Sequence, residues 1–174
     1  TRNRVISVTL HAIIMVLSVC LLAGIGLSYD LPNANNELLL VVDVSYSGEK
    51  SQDVRDEFVR SVINEAGSGV KVGVVTFGYD QVYAVPLTTN TDKAYNAYLD
   101  AEKPDTSASD IASALKYAQG LFNYPETAKI VLVSDGEETD NKAMSEIRAI
   151  AAAGIKVDTY CTNAEQADRE AQIT

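Results

Sequence analysis

Histidine is nearly absent from this chain: there is one in 174 residues, His11, and it lies in an apolar N-terminal stretch. The rest of the chain therefore offers no candidate for Ser-His-Asp or Cys-His chemistry, or for an imidazole-based metal site. Cysteine is almost as scarce. Cys20 falls in the same apolar stretch and Cys161 in a late strand-like run, too few for a disulfide framework and not spaced as zinc ligands. Basic residues are thin as well. With Arg2 and Arg4 set aside, 12 Lys and Arg face 24 Asp and Glu, a formal charge of −12 after Tyr29. Such a surface repels nucleic acid, whose recognition needs basic patches to neutralise phosphate. There is no internal repeat or low-complexity tract. A hydrophobic content of 47% over this length suits one domain with a proper core and little else.

Charge is missing altogether from Val5 to Tyr29, and this mostly aliphatic run is long enough to span a bilayer. The expected organisation is a transmembrane helix over 1–29, a polar linker over 30–37 and a globular domain over 38–174. Arg2 and Arg4 precede the helix and the linker has no Lys or Arg, so the domain is expected on the extracytoplasmic side. The alternative is a cleaved signal peptide, against which the apolar run is long. A lipoprotein reading through Cys20 is poor, because Val19 stands where a small residue is needed. A start at Thr1 is what a processed chain or a piece of a longer one would show.

In the remaining sequence, strand and helix patterns alternate. Apolar runs at Leu38 to Val44, Val70 to Phe77 with Lys71 aside, and Lys129 to Asp135 read as buried strands, and Ile155 to Cys161 reads as a further strand. Gln81 to Leu87 follows the second run after only Gly78-Tyr79-Asp80, too short for a parallel crossover, so it is expected as an antiparallel edge strand, which Pro86 suits. Helical spacing predicts one helix from Ser51 to Ala66, with Ser51 as N-cap, Gly67 as stop, and Val54, Phe58, Val59, Val62 and Ile63 inward. A second over Thr91 to Asp100 should bury Ala94, Tyr95, Tyr98 and Leu99. A third runs from Asp110 to Phe122, and a fourth carries Met144, Ile147, Ile150 and Ala151 and stops at Gly154. The expected fold is α/β: a doubly wound, mainly parallel sheet with one antiparallel edge strand.

Chemistry concentrates where strands end. Asp43-Val44-Ser45-Tyr46-Ser47 follows the first apolar run, and alone it has two readings. Alternate residues of an extended segment point the same way, so Asp43, Ser45 and Ser47 can offer oxygens to one hard cation such as Mg²⁺. Equally, Asp and Ser at such positions bond their own backbone in a turn. Asp135 closes another apolar run, and in a parallel sheet both aspartates open onto the crevice at the carboxyl ends of the strands. Between them, Asp105 to Asp110 supplies hydroxyls before a helix, with Ser107 and Ser109 also candidates for capping it.

Taken together, Asp43-x-Ser45-x-Ser47, Ser109-Asp110-Ile111-Ala112-Ser113-Ala114-Leu115 and Ser134-Asp135-Gly136 resemble the von Willebrand factor type A family and its metal-ion-dependent adhesion site. The resemblance covers about Leu38 to Cys161. It implies that Ser45 and Ser47 bind the metal directly, Ser109 directly or through water, and Asp43 and Asp135 largely through water. It implies Mg²⁺ as the cation, with Mn²⁺ or Ca²⁺ as alternatives, and a partner protein that supplies an acidic residue as the last ligand. Two positions depart from the family pattern: Ser109 stands where Thr is usual, with Thr106 as a fallback, and Ser45-Tyr46-Ser47-Gly48 replaces the common S-G-S-M. The family also has a further strand and helix after the Cys161 strand, so 164–174 is expected to be only the start of that segment.

The leading expectation is thus a membrane-anchored, metal-dependent protein-binding module of the bacterial cell envelope, not an enzyme, serving adhesion, assembly or sensing. The sequence sets no oligomeric state. Its competitors are a metal-dependent α/β hydrolase or phosphotransferase and a structural domain with a vestigial site. Against the enzyme, Ser45 replaces the second Asp of a D-x-D pair, and Gly48-Glu49-Lys50-Ser51 lacks the first glycine of a phosphate loop. Glu49, Glu137, Glu138 and Asp140 form an acidic rim, read as solvated loop charges or as a place for a second cation.

Overall fold

The computed structural model describes residues 4, 6–11, 14, 15, 36–67 and 69–162. The chain divides into two compact units, Thr1–Leu31 and Pro32–Thr174. In the first, the described residues are helical. Two of them fold back on that helix: Thr9 Oγ1 donates to the Ile6 carbonyl, and His11 Nδ1 lies 2.7 Å from that of Ser7. Most of the span expected over 1–29 lies outside the described residues, as do positions 30–35, Cys20 and the tail 163–174. Among the described residues no helix is long and apolar enough to cross a membrane.

Among the described residues, the second unit is built on five strands: β1 (Glu37–Asp43), β2 (Lys71–Phe77), β3 (Gln81–Thr88), β4 (Ala128–Ser134) and β5 (Lys156–Cys161). Their order across the sheet is β3-β2-β1-β4-β5. All pairings are parallel except β2 with β3, so the short Gly78-Tyr79-Asp80 turn makes the antiparallel edge hairpin its length demands. The helices among the described residues that cover the sheet are α1 (Gln52–Glu65), α2 (Thr91–Asp100), α3 (Ile111–Gln119) and α4 (Ala143–Ala152).

The period of two along each strand sorts the core into two layers. Leu39 and Val41 of β1, Val75 and Phe77 of β2 and Ile130 and Leu132 of β4 pack with Ile111, Leu115 and Ile150 of α3 and α4. Leu40, Val42, Val72, Val74, Val131 and Val133 face the other way, onto Val59 and Ile63 of α1 and Ala94 and Tyr98 of α2. Helices therefore lie on both faces, as a doubly wound sheet requires. The alternation also fixes the site: Asp43 and Ser134 share the parity of the layer under α3 and α4. In register Val42 pairs with Val133, which sets Asp43 level with Ser134 at the carboxyl edge.

Helix ends differ from expectation more than helix positions do. A 3-10 turn over Tyr46–Ser51 leads into α1, so the Ser51 side chain makes no cap bond, and the helix stops at an extended Ala66 rather than at a left-handed Gly67. Gly154, at φ 91°, does end the α4 segment as a left-handed glycine. Val54, Leu99, Met144 and Ala151, expected inward, are exposed, because each lies on the flank of an apolar stripe. Tyr98 is buried with its hydroxyl donating to Asp56 Oδ1 at 2.7 Å, and burial and that bond push its phenol well above the ordinary range. Tyr95 stays half-buried, with the Arg60 guanidinium 5.7 Å over its ring.

Candidate metal centre

Three loops meet at the carboxyl edge of β1 and β4, and the backbone ties them before any side chain does. Tyr46 N donates to Thr106 O at 3.0 Å, joining the loop after β1 to the loop before α3. That second loop is anchored on the β2–β3 turn through Tyr79 N to Asp105 O at 2.7 Å and Asp110 N to Gly78 O at 3.0 Å. The approach is so close that a Cβ on Gly78 would lie 2.1 Å from Asp105 O, so only glycine fits. The third loop, after β4, is joined by a reciprocal pair: Ser109 N donates to Thr139 Oγ1 and Thr139 N to Ser109 O, both at 3.1 Å.

Asp43 sits at the centre, 3% exposed, with both carboxylate oxygens engaged. Oδ1 accepts from Ser45 N at 2.9 Å, closing an Asx turn. Oδ2 accepts from Ser109 Oγ at 2.8 Å and Ser134 Oγ at 2.9 Å. Its carbonyl accepts from Arg55 Nη1 on the α1 side at 3.2 Å. The turn reading and the convergence reading of Asp43-x-Ser45-x-Ser47 are therefore both realised, on different oxygens of one carboxylate.

Ser45 is extended and buried, and the chain then enters the 3-10 turn, so simple alternation stops there. Ser47 still returns to it: Ser45 Oγ and Ser47 Oγ are 3.1 Å apart, the second exposed to solvent. Asp135 is buried one residue beyond β4, and its Oδ1 accepts from Glu137 N at 3.0 Å across a Gly136 at φ 86°. Asp43, Ser45, Ser47 and Ser109 are thus linked by hydrogen bonds, while the Asp135 side chain bonds within its own loop.

Neither Ser107 nor Ser109 caps α3. Asp110 does, accepting from Ser113 N at 2.9 Å, and Ser107 N instead donates to Asp105 Oδ1. It is Ser109 rather than the fallback Thr106 whose hydroxyl reaches Asp43. The acidic rim is also partly spent. Glu138 Oε1 accepts from Lys142 N and Ala143 N at 2.8 and 2.6 Å at the start of α4, and Asp140 pairs with Lys142 at 3.1 Å. Sequence reasoning missed Ser134 and Thr139 as positioning residues. For Ser134 the signal was available, since its parity within Ala128–Ser134 puts it on the Asp43 face.

Whether these residues suit a divalent cation is a question of donor chemistry. Two oxygens in adjacent octahedral positions around Mg²⁺, each about 2.1 Å from it, lie about 3 Å apart. The Ser45–Ser47 separation of 3.1 Å meets that. Among the described residues no group of three or more His, Cys, Asp or Glu gathers as a metal cluster. A cation here would depend on hydroxyl oxygens with Asp43 and Asp135 as its balancing charge, a set that suits a hard ion.

Residues 38–138 match the model of the family described as von Willebrand factor type A domain. No curated protein matches the chain. Among solved structures, the chain is similar to the conserved hypothetical protein BatB of Bacteroides thetaiotaomicron, with 21% identity and a TM-score of 0.63 over 71% of this chain and 64% of that one. It is similar too to an aerotolerance-related membrane protein of Bacteroides fragilis, with 20% identity and a TM-score of 0.64 over 71% and 65%. A third likeness is to proximal thread matrix protein 1 of the mussel byssus, solved with a zinc-occupied MIDAS motif, with 17% identity and a TM-score of 0.62 over 73% and 38%. The match spans less than two thirds of each of these chains, and identities of this size speak for the fold alone.

Proposed function

The chain belongs to the von Willebrand factor type A domain family, and on that premise we propose that it is a membrane-anchored module that binds a partner protein through a divalent cation. The observation that carries the reading is the state of Asp43. Its two oxygens are used up in aiming Ser45, Ser109 and Ser134, while the Ser45 and Ser47 hydroxyls stand at the spacing of adjacent ligands. In this reading Ser45 and Ser47 hold the ion directly, Ser109 directly or through water, and Asp43 and Asp135 chiefly supply charge. When bound, the ion supplies a Lewis-acidic point in a net acidic domain. Mg²⁺ is the first choice, with Mn²⁺ or Ca²⁺ as alternatives. An Asp or Glu of the partner completes its shell.

The zinc-occupied MIDAS of the mussel protein and the membrane character named for the Bacteroides fragilis protein support the two halves of this reading. The charge-free run from Val5 to Tyr29, after Arg2 and Arg4, supports an anchor with the domain facing outward. A catalytic role for Asp43 is disfavoured because a nucleophile or base needs a carboxylate oxygen free to act, and three donors hold both of its oxygens.

Calorimetric titration of the full chain with Mg²⁺, Mn²⁺ and Ca²⁺ tests the centre. Saturable binding is expected, weakened about tenfold in the exposed Ser47→Ala variant, a loss of about 1.4 kcal/mol. Flat traces for all three ions in the folded wild type would sink the metal claim. Protease added to right-side-out vesicles should cut the domain without lysis, and protection until lysis would reverse the orientation.

A further inference from the structure

A pocket of about 370 Å³ opens beside the crevice, between α1 and α2, and shares Ser45 and Tyr46 with the first loop. It lies on the opposite face of the sheet from α3 and α4, so it is separate from the hydroxyl cluster around Asp43 Oδ2. Val44, Leu99 and Pro104 give it apolar walls, while Thr76, Arg55 and Asp56 bring polar groups. A concavity that joins apolar walls to convergent polar groups is a common form of ligand site.

One of those polar groups has nothing to bond. Thr76 is 5% exposed, and its Oγ1 is the one buried side-chain oxygen or nitrogen among the described residues without a hydrogen-bond partner. A hydroxyl at the end of a buried strand with no partner costs stability, so its retention on the lining of a pocket points to a ligand. Arg55 lines the same pocket, 8% exposed, held by Asp56 Oδ1 at 3.0 Å and the Asp43 carbonyl at 3.2 Å. A guanidinium has more N–H donors than those two bonds use. Asp56 Oδ1 also accepts from Tyr98, so the carboxylate nearest the floor is already committed. What the floor offers is hydrogen-bond donors.

The charge around the pocket decides which acceptor they take. Arg55 and Lys103 are outnumbered by Glu49, Asp56 and Glu102, and Arg55 is already paired with Asp56. A net negative lining does not favour a carboxylate or phosphate, and donors at the floor do not favour a cation. We infer that the pocket is a second recognition site, which takes an uncharged amide carbonyl bonded by Arg55 and, once a turn about its χ1 brings it out of its closed position, by Thr76 Oγ1. Because Ser45 lines the pocket and also belongs to the cation site, the group comes from the same partner segment whose acidic residue completes the cation's shell. Only this origin of the ligand rests on the proposed function; the pocket and its chemistry do not need the metal.

The test uses the full chain and capped amino acids followed by ligand-observed nuclear magnetic resonance, in EDTA and again in Mg²⁺. N-acetylglutamine methylamide is expected to bind in the millimolar range in both buffers. Thr76→Val should weaken it about tenfold and at the same time raise the urea midpoint, because an unpaired hydroxyl is replaced by a methyl. Ala101→Trp, filling the pocket from its rim, should abolish binding with the fold intact. Capped alanine reads the source: equal binding keeps the amide class and assigns it to main-chain carbonyls, weaker binding to a side chain. No binding to the folded wild type, unchanged affinity in Thr76→Val, or capped glutamate bound more tightly than both capped glutamine and capped alanine overturns the proposal. Binding seen only with Mg²⁺ overturns it too, since the probe would then sit at the cation, whereas binding in EDTA with no metal uptake would sink the metal reading and leave this one standing.

Discussion

Strand β1 begins and ends with a buried carboxylate on the same face of the sheet, and the two are handled in opposite ways. Glu37, 1% exposed, is met by Asn123 N at 2.7 Å, Asn123 Nδ2 and Tyr124 N at 3.1 Å, and Lys71 Nζ at 3.5 Å. Every one of those partners is a donor with no lone pair to offer, so the Glu37 end is closed: it can bind nothing further and serves to pin the 123–124 turn to the sheet. Asp43 is met by one amide and two hydroxyls. A hydroxyl that donates to a carboxylate still carries lone pairs, so the Asp43 end is a set of aimed oxygens that can turn toward a cation. Similar burial and similar charge thus yield a lock at one end and a receptor at the other, and the partner chemistry makes the difference.

The strongest way to break that comparison is to remove the lock. Glu37→Ala should remove the buried anchor of the 123–124 turn and the charge partner of Lys71, and destabilise the fold by about 2.5 kcal/mol, read from urea unfolding. Cation affinity in the folded fraction should not change. A matching loss of affinity would show that the two ends are one coupled unit.

Next in size is a change aimed at the Asp43 end from outside it. Gly78→Ala drives a methyl into the Asp105 carbonyl, so the loop carrying Ser109 must shift. A destabilisation of about 2 kcal/mol is expected. Because Ser109 Oγ moves off Asp43 Oδ2, Mg²⁺ affinity in calorimetry should fall about tenfold or more. Retained affinity would mean that Ser109 is not needed to aim the centre.

Much of this contrast could be read in the sequence, and the part that could not has a physical cause. The buried strands showed as apolar runs, and the brevity of Gly78-Tyr79-Asp80 was enough to make β3 antiparallel. Asp43, Ser109 and Asp135 were each marked by standing at the end of a strand or the start of a helix. Ser134 was seen only as part of the Ser134-Asp135-Gly136 motif and not as a partner of Asp43, though parity alone would have pointed it there. Gly78 and Thr139 were beyond reach, because what defines them is contact with residues 27 and 30 positions away, Asp105 and Ser109, which no local period reports. The role of Glu37 was equally invisible: a charge at the head of a strand reads as a solvated end until Asn123 and Tyr124 are brought over it.

The smallest effect concerns acid, and it separates the two ends by pH. Burial pushes the Glu37 carboxyl up, but the bonds from Asn123 and Tyr124 and the charge of Lys71 outweigh it and hold the group below its ordinary value. A folded-state value below the unfolded one means that the ionised group stabilises the fold at neutral pH. That contribution is complete above the ordinary glutamate range, about 4.3, and is lost as pH falls through the lowered folded value. Glu37→Gln keeps the shape but not the charge. It should therefore be less stable than wild type at neutral pH, with the gap in urea midpoint narrowing as the solution is acidified below about pH 4. Asp105 is also held low, by the side-chain and backbone hydrogen bonds of Ser107, but it is present in both chains and cancels in the difference. A gap constant with pH would show that the lock works by shape alone, and the contrast with Asp43 would then rest on hydrogen-bond geometry rather than on charge.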